Sequence, residues 1–169
     1  RRRRRGRPSR PRPSPACCSE SLESRRLLTT FTVASSADTF DAFRGDGVAA
    51  NVFGATSLRA AVQEANSFAG ADTINLGAGT YFLNIAGFDD DARFGDLDIT
   101  DSLTIIGAGA GQTIIDGNDL DRVLHVLPGV SVSISGVTIR NGAAVNAGGI
   151  LNEGFLSLTD SIVEDNFAG

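Results

Sequence analysis

Short runs of alternating apolar and polar residues recur along the second half of the chain. Superposing the chain on itself with an offset of 24 residues aligns apolar positions at five places. The aligned pairs are Val126 with Ile150, Leu127 with Leu151, Val132 with Leu156, Ile134 with Leu158, and Ile139 with Val163. Alternation with a period of two predicts β-strands. A fixed repeat of this size predicts a solenoid, in which each turn buries its apolar side against the next.

The repeat extends toward the N-terminus with one interruption. Ile115 precedes Ile139 by the same 24 residues, whereas the run 103–105 precedes the run 132–134 by 29. The Gly-rich segment 107–111 accounts for the difference. It lacks the Lys-Ser/Thr ending of a phosphate-binding loop, so we interpret it as a turn. Residues 72–83 predict two more strands around a Gly-Ala-Gly turn. The prediction is an all-β parallel β-helix of roughly four coils over residues 72–169.

One helix is predicted before the coils, over residues 56–66. Apolar residues recur there at helical spacing, and Thr56 or Ser57 can cap the first turn. The residues sharing the apolar face are Leu58, Ala61, Val62 and Ala65. A strand at 31–35 precedes the helix, and residues 31–71 are expected to cap the first coil. The last coil reaches residue 169 without such an element, so we expect the natural protein to continue beyond it.

Charge divides the chain into a basic tail and an acidic body. Residues 1–30 contain ten arginines and two glutamates, and are predicted to be a disordered targeting tail. The alternative for the tail is binding to nucleic acid or a membrane surface. Residues 31–169 contain five arginines and eighteen acidic residues, a net charge of −13, which argues against nucleic acid as their partner. No transmembrane segment is predicted. Cys17 and Cys18, both in the tail, do not fix the redox compartment.

Two segments carry a resemblance to a known family. Residues 57–66, SLRAAVQEAN, followed by 70–81, GADTINLGAGTY, resemble the CSLREA domain of bacterial surface proteins. The first Cys of that motif is replaced by Thr56, and its Glu by Ala60. The resemblance implies a right-handed parallel β-helix of the pectin-lyase-like superfamily in a secreted or cell-surface protein. Residues 148–152 resemble repeats of polymorphic outer-membrane proteins, and residues 21–28 resemble a motif of planctomycete surface proteins.

Enzymes of this superfamily place carboxylates and arginine on adjacent coils. The catalytic candidates here are Asp116, Arg140 and Glu164, which are spaced 24 apart and are predicted to stack in one outer column. The alternative, which we favour, is a surface ion-pair ladder that contributes little to stability.

The candidate metal ligands are acidic residues between positions 88 and 98. They are Asp89, Asp90, Asp91, Asp96 and Asp98, a set of oxygen ligands suited to calcium. The alternative is a solvated loop. His125, the only histidine, alternates with apolar neighbours and is predicted to be a lone surface residue. Asn141 and Asn166 are predicted to close successive coils in structural roles.

These observations predict a secreted or cell-surface β-helix scaffold or adhesin without catalysis in this fragment. Its expected partner is polysaccharide or cell-surface glycan, and no cofactor is expected apart from calcium. One alternative is a carbohydrate-active enzyme, a lyase or glycoside hydrolase, whose catalytic coils lie beyond residue 169. Another is a calcium-stabilised passenger domain.

Overall fold

Three parallel sheets run along the molecule, and each of the first three turns contributes one strand to each of them. The computed structural model describes residues 28–169. The predicted tail up to residue 27 lies outside the described residues, as do Cys17, Cys18 and nearly all of the motif at 21–28. The elements are β1 Thr30–Val33, α1 Leu58–Ser67, β2 Asp72–Leu76, β3 Gly79–Phe82, β4 Leu97–Ile99, β5 Leu103–Ile106, β6 Thr113–Asp116, β7 Leu124–Val126, β8 Ser131–Ser135, β9 Thr138–Arg140, β10 Ala143–Ala144, β11 Ile150–Asn152, β12 Phe155–Thr159, β13 Ile162–Glu164 and β14 Phe167–Ala168.

The sheets stack as a parallel β-solenoid of about four turns, as predicted. The first sheet has the order β1-β2-β5-β8-β12, the second β3-β6-β9-β13, and the third β4-β7-β11. A small fourth sheet joins β10 to β14. Because every strand pairs with the equivalent strand one turn away, the backbone groups are satisfied between turns.

The strand register confirms most of the predicted repeat and corrects one part of it. Val132 pairs with Leu156 and Ile139 with Val163, at the predicted offset of 24, and the first-sheet pairing of β5 with β8 has the predicted offset of 29. The alignment of Val126 with Ile150 is wrong, as is that of Leu127 with Leu151. Ile150 pairs with Leu124 instead, at an offset of 26. The segment from β9 to β11, which includes β10, is two residues longer than the segment from β6 to β7. The segment from β11 to β12 is two residues shorter than the segment from β7 to β8.

Columns of aliphatic side chains fill the interior. Ile74, Ile105 and Ile134 are stacked by the register of the first sheet, and each is fully buried. Burying a side chain of this size contributes about 1.5–3 kcal/mol. The stacked columns are therefore the main source of stability in the coils.

The helix α1 closes the first coil, as predicted, by packing against β1, β2 and β4. Ser57 caps it, since its Oγ accepts a hydrogen bond from the Ala60 amide at 3.2 Å. The predicted apolar face is buried. The opposite face is buried as well, including Arg59, Gln63 and Glu64, because two loops fold over it. The helix is thus enclosed on both sides.

The Gly-rich segment 107–111 forms the predicted turn between β5 and β6. Its Gly107 amide donates to the Ser135 carbonyl at 2.8 Å, which ties the turn to the next coil. A Cβ on Gly107 would lie 2.2 Å from the Gly136 carbonyl oxygen. A side chain is therefore excluded at this position by the neighbouring backbone.

Candidate functional site

The three catalytic candidates align on successive coils, as predicted, but they do not form an exposed triad. Asp116 pairs with Arg140, and Arg140 pairs with Glu164, on β6, β9 and β13. Arg140 Nε lies 2.9 Å from Asp116 Oδ2, whereas Glu164 is exposed and has no ion-pair partner among residues 28–169. The structure therefore brings two of the three candidates into contact.

The carboxylate of Asp116 is occupied by neighbours that shape the coil. The residue is 1% exposed. Its Oδ2 also accepts from Asn141 Nδ2 at 2.9 Å, and its Oδ1 accepts from the Asn118 amide at 3.1 Å. The three donors fix the Asp116 carboxylate as part of the turn that follows β6. It is therefore poorly available to a substrate.

The two asparagines that were predicted to close coils have different roles. Asn141 has the left-handed backbone conformation expected of it, with φ of 53°. The Asn166 amide binds along the stack instead. Its Oδ1 accepts from Gly142, and its Nδ2 donates to the carbonyls of Ile139 and Glu164. Both roles are structural.

The five acidic candidates for calcium do not converge on one point. Asp89 Oδ1 accepts from the amides of Asp91 and Arg93 within its own turn. The Asp91 carboxylate pairs with Arg44 at 2.7 Å, and Asp96 pairs with Arg122. The remaining two candidates lie near each other and near His125, as described below. Calcium binding by this set stays a prediction.

Residues 85–96, here called the cover segment, fold back over the outer face of the third sheet. Arg59 holds them there by donating to the carbonyls of Ala92, Gly95 and Asp96 at 2.7–3.1 Å. Its Nε pairs with Asp38 at 2.6 Å, and the two side chains are 0% and 1% exposed. The Ala92 amide also donates to Asp98 Oδ2 at 2.9 Å. The buried Arg59–Asp38 ion pair therefore connects the helix, the N-terminal loop and the cover segment.

The prediction that His125 is a lone surface residue is wrong. It does lie on the outer side of its strand, since Leu124 and Val126 point to the core, but the residue is only 6% exposed. Its Nδ1 lies 3.0 Å from Asp98 Oδ1 on the preceding coil, and its Nε2 lies 3.0 Å from Glu153 Oε2 on the following one. The alternating pattern correctly indicated an outward direction. The pattern did not indicate that the cover segment and Glu153 would bury the His125 ring.

Asp90, Asp98 and His125 form a group with metal-ligating atoms. Within residues 28–169, one ligand atom from each of these three side chains lies within 4.8 Å of the others. Asp98 and His125 are buried, whereas Asp90 is exposed on the cover segment. The group therefore combines two oxygen donors and one nitrogen donor, from two coils and the loop above them.

Burial and mutual repulsion perturb the carboxylates beside this group. Burial raises the pKa of Asp96 to about 7, with a further contribution from the Asp98 charge. Burial also raises the pKa of Asp98, against the hydrogen bonds from Ala92 and His125. Among the described residues, Asp96 Oδ1, Asp89 Oδ2 and Asp121 Oδ2 are buried and lack a hydrogen-bond partner. The outer face of the third sheet thus buries several carboxyl oxygens that lack a partner within residues 28–169.

A cleft of about 410 Å³ opens between the N-terminal loop and the cover segment. It is lined by Phe40, Asp41, Arg44, Asp91, Arg93 and Phe94. The two phenylalanine rings meet edge to face at 6.1 Å, and the Arg93 guanidinium lies 5.7 Å from the Phe94 ring. Aromatic faces beside a few charged groups are typical of a binding cleft for a polar organic ligand.

Asp41 is the buried acid of this cleft. Its Oδ1 accepts from the Ala50 amide at 3.0 Å, and its Oδ2 has no hydrogen-bond partner among the described residues. Burial, together with the neighbouring Glu64 carboxylate, raises the pKa of Asp41 to about 6. The side chain of Glu64 accepts from the amides of Gly45 and Gly47 and so holds the loop against the helix.

The fold and these sites define a β-solenoid protein whose first coil is capped by a helix. Comparisons with protein-family models, with curated proteins and with solved structures found no match to this chain. Within the described part of the chain, no helix is both long and apolar enough to span a membrane.

Proposed function

We propose that this chain is the N-terminal portion of a secreted or cell-surface β-helix scaffold that binds polysaccharide. The observation that carries the proposal is the cleft at the capped end of the coil stack, where two phenylalanines lie beside two arginines and two aspartates. A solenoid presents such a cleft on a stiff support, because each coil is paired to the next along its length.

The groups in the cleft match the chemistry of a sugar chain. The exposed ring of Phe94 offers an apolar surface for the C–H face of a sugar, and Phe40 supports it. Arg93 is exposed beside the ring, and its guanidinium offers several donors to hydroxyl or carboxylate oxygens. The resemblance to CSLREA domains supports the secreted or cell-surface location.

A binding role is also supported by the state of the catalytic candidates. Three structural donors already engage Asp116, and one of them is the paired Arg140. Binding without turnover is therefore the result we expect of this fragment.

One observation favours the second candidate function, a carbohydrate-active enzyme. Asp41 lines the cleft, and its pKa of about 6 is in the range that a general acid needs at neutral pH. Under this alternative the catalytic coils lie beyond residue 169, and the cleft contributes to substrate binding.

The test is a polysaccharide screen on the full chain that records both binding and the release of reducing or unsaturated ends. We expect binding without release, and we expect F94A to weaken binding at least tenfold. The matched control is F155A, since Phe155 is an exposed phenylalanine on the last coil, away from the cleft. Release of new chain ends would establish the enzyme instead. Equal binding by F94A and F155A would remove the cleft from the proposal.

The location is tested separately, by treating intact cells that produce the protein with an external protease. A surface protein is degraded under these conditions while a cytoplasmic marker survives. Survival of both would contradict the proposed location and leave the polysaccharide result unaffected.

A further inference from the structure

We propose that Asp90, Asp98 and His125 bind a divalent transition-metal ion of the Zn²⁺ type, with Glu153 as a positioning residue for the imidazole. The proposal is independent of polysaccharide binding. It rests on the geometry around the ring, on the buried charge beside it, and on the types of ligand atom that meet there.

The two nitrogens of His125 each face a carboxylate oxygen at 3.0 Å. A neutral imidazole has one N–H, so it can donate to only one of them. If Nε2–H donates to Glu153, the lone pair of Nδ1 is directed at a carboxylate oxygen of Asp98. Two acceptors at this distance repel each other unless a cation binds both. A zinc ion bonded to each at about 2.0–2.2 Å would bridge them.

The partner of the other nitrogen supports this interpretation. Histidines that ligate metals usually donate their second N–H to a carboxylate, which fixes the tautomer and the ring orientation. Glu153 occupies that position, and its side chain is 50% exposed. The arrangement Glu153–His125–metal therefore needs no rotation of the ring, and the exposed side of Glu153 and Asp90 provides an entry route.

Buried charge is a second and separate indication. Asp96 and Asp98 lie on the same outer face, since Leu97 and Ile99 between and beyond them point into the core. Asp96 is 1% exposed, and its Oδ1 has no hydrogen-bond partner among the described residues. Buried carboxylates are normally paired or coordinate a metal. A divalent cation at Asp98 would compensate charge that Arg122 alone does not.

The donor set selects the class of ion. Calcium takes six to eight ligands, all oxygen, whereas an imidazole nitrogen with two carboxylates suits zinc and its neighbours. Three protein ligands leave a fourth position for water. A bound ion would join the first coil, the second coil and the cover segment, and so would stabilise the covered face.

The experiment uses the full chain with C17S and C18S, because thiolates bind zinc strongly. His125 is the only histidine, so ¹⁵N labelling of histidine reports on this site alone. We expect one equivalent of Zn²⁺ to shift the Nδ1 resonance, to leave Nε2 protonated, and to raise the melting temperature. One equivalent of Ca²⁺ is expected to leave the ring resonances unchanged.

Three variants separate ligation from a structural role. D90N is expected to weaken zinc binding at least tenfold, whereas D160N, the same change at an exposed turn after β12, is expected to leave it unchanged. E153A is expected to weaken binding by about 10–100-fold, and E153Q to restore most of it, because the Gln carbonyl still accepts from Nε2–H. Circular dichroism in the presence of chelator checks that each variant is folded.

Two outcomes would overturn the proposal. A ring that is protonated on both nitrogens and unaffected by zinc would show that a proton, and not a metal, joins His125 to Asp98. Equal zinc affinity of folded D90N and D160N would show that any binding occurs elsewhere in the chain.

Discussion

The outer faces of the first and third sheets differ sharply, although the same repeat builds both. On the first sheet, the register aligns Thr73, Thr104, Ser133 and Ser157 in an outward column of small polar residues that is partly or fully exposed. On the third sheet the equivalent column contains Asp98 and His125, and both are buried under the cover segment. The comparison shows that an outward position in a solenoid is exposed only where no loop folds back over it.

The largest expected effect comes from removing the residue that holds the cover segment. R59A would leave the Asp38 carboxylate buried without its partner and three carbonyls without their donor. We expect a loss of about 3–5 kcal/mol in the free energy of unfolding, measured by urea denaturation. R93A is the control, since Arg93 is exposed, and its expected change is below about 0.5 kcal/mol. Similar midpoints for the two variants would contradict this role for Arg59.

The next effect compares the two outer columns directly. D98A removes the acceptor of the Ala92 amide and a partner of His125, and we expect it to cost about 1–3 kcal/mol. S133A, on the exposed column, is expected to change stability by less than about 0.5 kcal/mol. Both are measured by thermal unfolding in the presence of chelator. Equal melting temperatures would mean that the two faces are energetically alike.

The pH dependence of stability distinguishes the capped end, which contains Asp41, from the exposed coils. The pKa of Asp41 rises from an ordinary 3.8 to about 6 on folding, so the folded state binds this proton more tightly. Stability should therefore fall as pH rises from about 4 to 6. D41N should reduce this fall and raise stability at pH 7 by about 1–3 kcal/mol, as read from urea midpoints across the range.

The control for the pH dependence is D46N, at an exposed position in the same loop. It should leave the slope between pH 4 and 6 unchanged. Loss of stability in D41N at pH 7 would show that the ionised carboxylate is favourable, in contradiction to the burial argument.

The smallest effect concerns the predicted ion-pair ladder. Glu164 is exposed and unpaired within the described part of the chain, so E164Q should change the free energy of unfolding by less than about 0.5 kcal/mol. D116N, by contrast, places an amide group where Arg140 and Asn141 donate, and should be measurably less stable. A large effect of E164Q on the free energy of unfolding would indicate that Asp116, Arg140 and Glu164 are energetically coupled.

The repeat was predictable because stacking imposes a direct constraint on sequence. Ile105 and Ile134 must both point into the interior at paired positions. A shift of one residue in the strand register would turn the side chains outward. The helix was predictable for a similar reason, from its spacing and from Ser57. The register at Ile150 was not, because two neighbouring connections changed length in opposite directions and left the overall period intact.

The candidate site was harder to predict because it depends on contacts across long sequence separations. His125 meets Asp98 from 27 positions away and Glu153 from 28, and Arg59 reaches the cover segment from more than 30. No local pattern specifies such pairs. The helix did contain a signal, since Arg59, Gln63 and Glu64 lie on its polar face and the helix follows a loop, residues 36–54, that contains glycine and aspartate. These polar residues could be interpreted only once the structure showed that their face of the helix is buried.

The most direct test of the covered face is the chemical reactivity of two histidines in one molecule. In S133H, the added histidine lies on the exposed outer column and His125 lies on the covered one. Carbethoxylation of both, followed by peptide mass spectrometry, compares their rates under identical conditions. We predict that position 133 reacts at least tenfold faster than His125 in the folded protein and at the same rate after unfolding in urea. Equal rates in the folded protein would show that the cover segment does not shield the third sheet.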